Sequence, residues 1–263
     1  NSPSPLKEVN LPNVTTFGHY AFLGGDRLEK VSLPNVTTFR LGAFYGAGKD
    51  VELELDLPKV TSFGEDSFYN TGLKSLSLPN VISIGYGSVR LNSQLKEISL
   101  PKFEFFIHDR DQVNPMPTFG YNPSLEKVSM PNFQGTLKVL AFDTAPSPLK
   151  ELTIGSTDVG VMGTTPRSTI TTLNLTATGM LESGLSSSFP NLKYLTSNAT
   201  TAGNDTLLQA NALETVTMPN VTSFGDNAFR LTPALKEVKL PSTTVFGDSA
   251  FRNSTGPEAL DLP

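Results

Sequence analysis

Cysteine is missing from all 263 residues. That excludes disulfides, thiolate chemistry and any zinc site built on Cys, and it is compatible with any compartment. Tryptophan is missing too, and histidine occurs twice, as His19 and His108. Charge is sparse: 17% of residues carry it, and 20 Lys and Arg against 25 Asp and Glu leave a formal net charge of -5. Nucleic acid is not an expected partner, because counterion release needs a basic stripe. No apolar run approaches the roughly 20 residues of a membrane-spanning helix. The opening NSPSPLKEV has neither a charged nor an apolar leader region. The motifs G-x-S-x-G, H-E-x-x-H, G-x-x-x-x-G-K-[ST] and G-x-G-x-x-G do not occur. No acidic residue stands apart as half of a catalytic carboxylate pair. Composition and motifs together lead us to expect no catalytic residue, no cofactor and no metal.

What the chain has instead is repetition. LPNVTTFGHYAF (11–22) returns as LPNVTTFRLGAF (33–44), and MPNVTSFGDNAF (218–229) as LPSTTVFGDSAF (240–251). Aligned on L-x-x-V-x-L-P, the fourth position falls at Val9, Val31, Leu55, Leu76, Ile98, Val128, Leu152, Leu173, Leu195, Val216, Val238 and Leu260. Steps are 21–24 residues except that from Ile98 to Val128, which is 30. Repeats of this length built on L-x-x-L-x-L each supply one short strand to a solenoid. The expected fold is therefore an α/β-type repeat solenoid of twelve right-handed, curved coils over residues 1–263. Its parallel strands would face a back wall of short helical, 3-10 or irregular turns.

Each residue type has a physical reason. Positions 4 and 6 lie two apart, so both point to one strand face. The following Pro has no N–H and ends regular pairing. In NVTTFG, Val14 and Phe17 are apolar anchors and Gly18 permits a turn. Asp226 and Asp248 stand where they would cap a single helical or 3-10 turn. Phe22, Phe44, Phe68, Phe142, Phe229 and Phe251 would fill each coil from behind. Both ends fall inside the pattern, SPSPLKEV (2–9) matching APSPLKEL (145–152), so a fragment or mature portion of a longer protein is expected.

The string L-x-x-V-x-L-P-x-x-V-T-x-F-G-x-x-A-F resembles the BspA-like leucine-rich repeat family of bacterial surface antigens, also found in some mucosal protozoan parasites. The resemblance covers nearly the whole chain and is strongest at 6–100 and 207–263. Two departures stand out. Where family members often carry Cys after the A-F pair, this chain has Gly25, Ala47 or Thr232. Where ordinary leucine-rich repeats have Asn, it has Val14, Val36, Val60, Val81 and Val221. The resemblance implies a secreted or surface-anchored protein, often a lipoprotein, that adheres to a protein partner such as host matrix. It implies no enzyme.

Two places are candidates for binding. The long step holds KFEFFIHDRDQVNPMPTFGYNPS (102–124), some eight residues beyond a normal coil. Phe103 and Phe106 align with core columns there. Phe105, Ile107, His108, Asp109, Arg110, Asp111, Met116 and Tyr121 fall on or near an excursion, and insertions in repeat proteins map to functional loops. The alternative is that these aromatics fold back to seal the core. Arg110 between Asp109 and Asp111, with no Gly-rich loop, argues against Ca²⁺. The outward strand positions carry a Ser/Thr column that includes Ser77, Ser99 and Ser129, with Tyr194 its one aromatic neighbour. A hydroxyl ladder between strands explains that column equally well, and one aromatic is little for a glycan face. Glycan binding and a passive spacer remain alternatives to protein binding. His19 is expected to be a solvated loop residue. Seven Asn-x-Ser/Thr sequons occur, three within the repeated PNVT at Asn13, Asn35 and Asn220, and DTA (143–145), DTL (205–207) and DSA (248–250) resemble an O-glycosylation motif. The stretch 155–206 loses the Pro and the A-F pair and is read as divergent coils.

Overall fold

The computed structural model describes residues 4–107, 118–134, 148–156 and 169–255, and the backbone of 259–261. The chain forms two compact units, Asn1–Met130 with Val139–Pro148, and Pro131–Lys138 with Leu149–Pro263. Both are parallel-strand solenoids with little helix. In the first, strands Glu8–Asn10, Lys30–Ser32 and Glu54–Asp56 pair with Val9, Val31 and Leu55 in register. Ser75–Ser77, Glu97–Ser99 and Lys127–Met130 pair likewise on Leu76, Ile98 and Val128. In the second, the leading sheet runs through Glu151–Ile154, Thr172–Leu175, Tyr194–Ser197, Thr215–Thr217, Glu237–Lys239 and Ala259–Asp261. Every partner is one repeat away, so the period written in the sequence is the pairing register.

The segment read as anchors and a turn makes a second parallel sheet. Its strands in the first unit are Thr38–Phe39, Ser62–Phe63, Ser83–Gly85 and Phe105–Ile107. In the second unit they are Met180–Leu181, Thr201–Ala202, Ser223–Phe224 and Val245–Phe246. Thr and Phe suit a pleated, half-buried surface, and alternation sends the Phe inward. Phe17, Phe39 and Phe63 stack at 5.6 and 5.0 Å, and Phe22, Phe44 and Phe68 at 4.9 and 5.5 Å. These two columns are the core of the first unit, with Phe44, Phe63 and Phe68 fully buried. Phe229 is also fully buried, and Phe251 is half-buried. Phe142 lies outside the described residues.

The expected helical turn after the second sheet is absent where these residues are described. Its N–H groups donate to the next coil instead: Phe22 to Ala43 O, Phe44 to Ser67 O, Phe229 to Ala250 O, each at 2.8 Å. Donation along the stack at every second residue is incompatible with bonding four residues back within one helix. The turn is closed by left-handed residues four apart, such as Asp66 with Asn70 (φ 53° and 52°) and Asn227 with Leu231 (φ 53° and 59°). Asp226 and Asp248 therefore cap nothing. Asp226 N–H donates to Asn204 Oδ1 at 2.9 Å and Asp248 N–H to Asp226 Oδ1 at 2.7 Å, a ladder from coil to coil. The one described α-helix is Leu185–Ser188, in the divergent stretch.

The positions of the two departures from the family pattern are buried apart from Val14, which is half-buried. Val36, Val60, Val81 and Val221 sit in the core. At the Cys position, Thr71 N–H and Oγ1 both donate to Asn92 Oδ1 at 2.7 Å, and Asn92 N–H donates to Asn122 Oδ1 at 2.9 Å. Asn122 Nδ2 then donates to Val89 O and Phe119 O at 2.7 and 2.8 Å. Satisfied in this way, the amides avoid the penalty of burying a polar group.

Candidate functional site

Phe105 opens the last strand of the first unit's second sheet, in register with Ser83. Phe106, in line with Ile84, and fully buried Phe103 take core columns as aligned. Phe105 and Ile107, expected on or near an excursion, thus lie in a regular paired strand. The alternation that turns Phe106 inward turns Phe105 out, and it is 52% exposed. Beside it lies exposed Ile82, whose carbonyl accepts the Phe105 N–H at 3.4 Å. Ile107, two residues on, points the same way and is half-buried. It closes one end of a groove of about 510 Å³ whose other lining includes His19, Arg40, Leu41 and Ser62, with Gly64 in its wall. His19 is exposed, as expected; Glu65, at the equivalent repeat position, is buried. Tyr121 is 40% exposed with φ 58°. His108, Asp109, Arg110, Asp111 and Met116 lie outside the described residues.

Ser77, Ser99 and Ser129 align on the outer face of the first unit's leading sheet, Ser77 exposed and the other two half-buried. Tyr194 belongs to the second unit, 46% exposed between Thr172 and Thr215 in register on either side. Short neighbours leave its ring standing clear of the sheet. Of the three Asp-Thr/Ser tripeptides, DTA lies outside the described residues. Thr206 of DTL is fully buried, its hydroxyl donating to Gly203 O at 2.7 Å, which closes that hydroxyl to modification in the folded protein. Ser249 of DSA is exposed.

One cluster escaped the sequence reading, which followed the strand positions and not the residue after the A-F pair. Tyr45 and Tyr69 stack at 4.4 Å, and the Arg90 guanidinium lies over the Tyr69 ring at 4.7 Å. Arg90 also meets Asp66 at 3.4 Å. Burial, followed by the neighbouring Tyr69, pushes the Tyr45 hydroxyl above its ordinary pKa. Both Tyr69 ring faces are occupied, so the cluster is a closed wall. Reading columns through the repeat at every position, strands and turns alike, would have found it.

Along one edge of the second unit's leading sheet, Lys193 and Lys236 flank Glu214 at 3.2 and 2.7 Å. Hydrogen bonds from Lys236 and then Lys193 hold the Glu214 carboxyl below its ordinary 4.5. A depressed carboxylate pKa contributes stability that is whole above the ordinary value and is lost as pH falls through the folded one. Melting wild type and Glu214→Gln at several pH values should show a small gap at pH 7 that closes below pH 4.5. A gap that persists undiminished in acid would contradict this account. Among the described residues, no group of three or more Asp, Glu or His side chains is placed to hold a metal ion, and no helix is long and apolar enough to cross a membrane.

The family model described as a BspA type leucine rich repeat region (6 copies) matches residues 2–112, 59–163 and 169–257. The chain belongs to the BspA-type leucine-rich repeat family. A leucine-rich repeat protein from Bacteroides ovatus is similar at 17% identity with a TM-score of 0.35, the match covering 98% of this chain and 74% of that one. The T. pallidum leucine rich repeat protein is similar at 14% identity with a TM-score of 0.26, covering 98% and 78%. Likenesses this loose carry nothing about function. No curated protein matches the chain. Membership of the BspA-type family fits a repeat protein of surface or protein interaction.

Proposed function

We propose that this BspA-type chain is a non-enzymatic adhesion module, secreted or held at the cell surface as a lipoprotein, that binds a protein partner such as host matrix. The observation that carries this is Phe105: a large apolar side chain, half out of the sheet, beside a second exposed apolar residue, Ile82. A protein gains nothing in stability from such a pair in water, whereas aromatic anchors dominate protein interfaces. Ile107, His108, Asp109, Arg110, Asp111, Met116 and Tyr121 belong to the same proposed surface. The finer fold reading, one continuous right-handed solenoid of twelve coils over 1–263, belongs here too. Its support is that each aligned apolar position from Val9 to Leu260 falls in a strand.

Presented to arrayed matrix and surface proteins, the purified chain is expected to bind selectively. Phe105→Ala should weaken that binding roughly 30-fold, the loss of about 2 kcal/mol typical of an interface hot spot. The side chain is exposed, so folding should be unchanged. Selective binding that survives Phe105→Ala would move the site elsewhere. A folded chain that binds nothing would leave the spacer reading in its place. Glycan is the second reading, and two separate surfaces would serve it: the half-exposed Tyr194 ring among Thr172, Thr196 and Thr215 on the second unit, or the Ser77–Ser99–Ser129 hydroxyls on the first. Competition by free saccharide distinguishes glycan from protein.

A further inference from the structure

The turn motif ends in Arg twice in succession, in DNAFR (226–230) and DSAFR (248–252). Arg230 is half-buried and Arg252 exposed. Leu231 N–H donates to Arg252 O at 3.1 Å, and Phe229 and Phe251, each just before its arginine, stack at 4.9 Å. The two arginines thus leave the same wall one coil apart, about 4.8 Å between strand-like neighbours. The first unit supplies an internal comparison, because Arg90 occupies the equivalent repeat position. There the guanidinium is closed by Asp66 at 3.4 Å and by the Tyr69 ring. In the second unit Leu208 stands where Tyr69 did. Where Asp66 stands one coil before Arg90, Asp205 stands one coil before Arg230 but forms no ion pair with it among the described residues, and Asn227 stands one coil before Arg252. Arg230 reaches only Asn227 Oδ1, at a long 3.5 Å; its Nε is buried, as is that of Arg90, so Nε does not set the two positions apart. Arg252 makes no ion pair among the described residues either. Asp226 is committed through Oδ1 to the Asp248 N–H at 2.7 Å.

What distinguishes this pair from Arg90 is the want of a carboxylate: neither guanidinium has an ion-pair partner among the described residues. Each guanidinium offers a planar fork of donors with a charge that no ordinary pH removes. One fork suffices for the two oxygens of a planar carboxylate. Two forks a coil apart reach different oxygens of a tetrahedral group, which has three or four to offer. The geometry points to Arg230 and Arg252 as a clamp for a tetrahedral oxyanion, a sulfate or phosphate group, either free or carried as an ester on a polysaccharide. The site is separate from the Phe105 surface and stands or falls without it.

Calorimetric titration of the full chain tests this with two probes, sodium sulfate at constant ionic strength in chloride, and dextran sulfate against neutral dextran. Saturable binding of either sulfated probe is expected. It should weaken roughly tenfold in Arg252→Gln and in Arg230→Lys, which keeps the charge and stem but loses the fork. Lys74→Gln, a surface charge in the other unit, should leave it unchanged. Binding of sodium sulfate would identify the free ion as sufficient, and binding of dextran sulfate alone would assign the ester. The clamp is overturned if neither probe saturates, if both arginine variants bind as wild type does, or if Lys74→Gln loses as much as they do.

Discussion

Replacing Phe44 by Ala is expected to remove roughly 3–5 kcal/mol of stability, the range for core aromatics. Phe44 is fully buried and sits where the two Phe columns of the first unit meet, 4.9 Å from Phe22, 5.5 Å from Phe68 and 5.1 Å from Phe39 by ring centroids. Its backbone N–H donates to Ser67 O in the next coil at 2.8 Å, so the wall cannot collapse into the cavity without breaking coil-to-coil bonds. A solenoid transmits such a defect only to its neighbours, because its stability is approximately a sum of repeat and nearest-interface terms. Hydrogen exchange should therefore show the loss concentrated in the coils holding Phe22, Phe44 and Phe68, alongside a lowered denaturation midpoint. A midpoint within error of wild type would mean that the columns are not the core. Phe44→Leu should recover part of the loss.

How far this was readable in advance depended on whether one residue type had one job. Val31, Leu55 and Ile98 alternate with exposed residues at a fixed step, and that pattern can only be a stack of half-buried strands. The inward places of Phe103 and Phe106 also followed from alignment to the columns. A two-residue strand such as Ser62–Phe63 has no alternation to detect. It is a strand because an equivalent segment lies one coil away on either side, so the signal is in the pairing and not in the segment. The turn failed for a related reason. Asp-Asn-Ala-Phe reads locally as a capped helical start, but its N–H groups find carbonyls in the next coil first, and Asn227 takes a left-handed φ of 53° to allow it. Tertiary bonding of this kind overrides local propensity. On the candidate surface, exposure of Tyr194 was legible from strand parity, whereas Phe105 and Ile107, expected on or near an excursion, lie in a regular strand paired to the preceding coil. The arginine pair was not legible, since nothing in a single DNAFR says that its guanidinium lacks the Asp and Tyr partners that Arg90 has.

Gly85→Ala should be strongly damaging for so small a substitution, at roughly 2–3 kcal/mol from overpacking. A Cβ there would lie 2.2 Å from Glu65 N, 2.5 Å from Gly64 C and 2.7 Å from Glu65 Cα. All three are backbone atoms of the preceding coil, and Glu65 O is itself held by the Gly42 N–H at 2.8 Å. No side chain can swing away, so the coils must part by much of an ångström, straining the pairing of Ser83 with Ser62. The sequence suggested that this glycine column served a tight turn. Gly85 is not in the left-handed region, and what it provides is close approach between coils. Gly18 occupies the same column with nothing within 4 Å of a Cβ. Gly18→Ala is therefore expected to be neutral or to stabilise by about 0.4–1 kcal/mol through the unfolded chain. Denaturant titration of the two variants side by side separates the explanations. Equal, mild effects would return the column to a role in turn flexibility. A large loss at Gly85 with none at Gly18 would establish that the glycine is there because the next layer of backbone is.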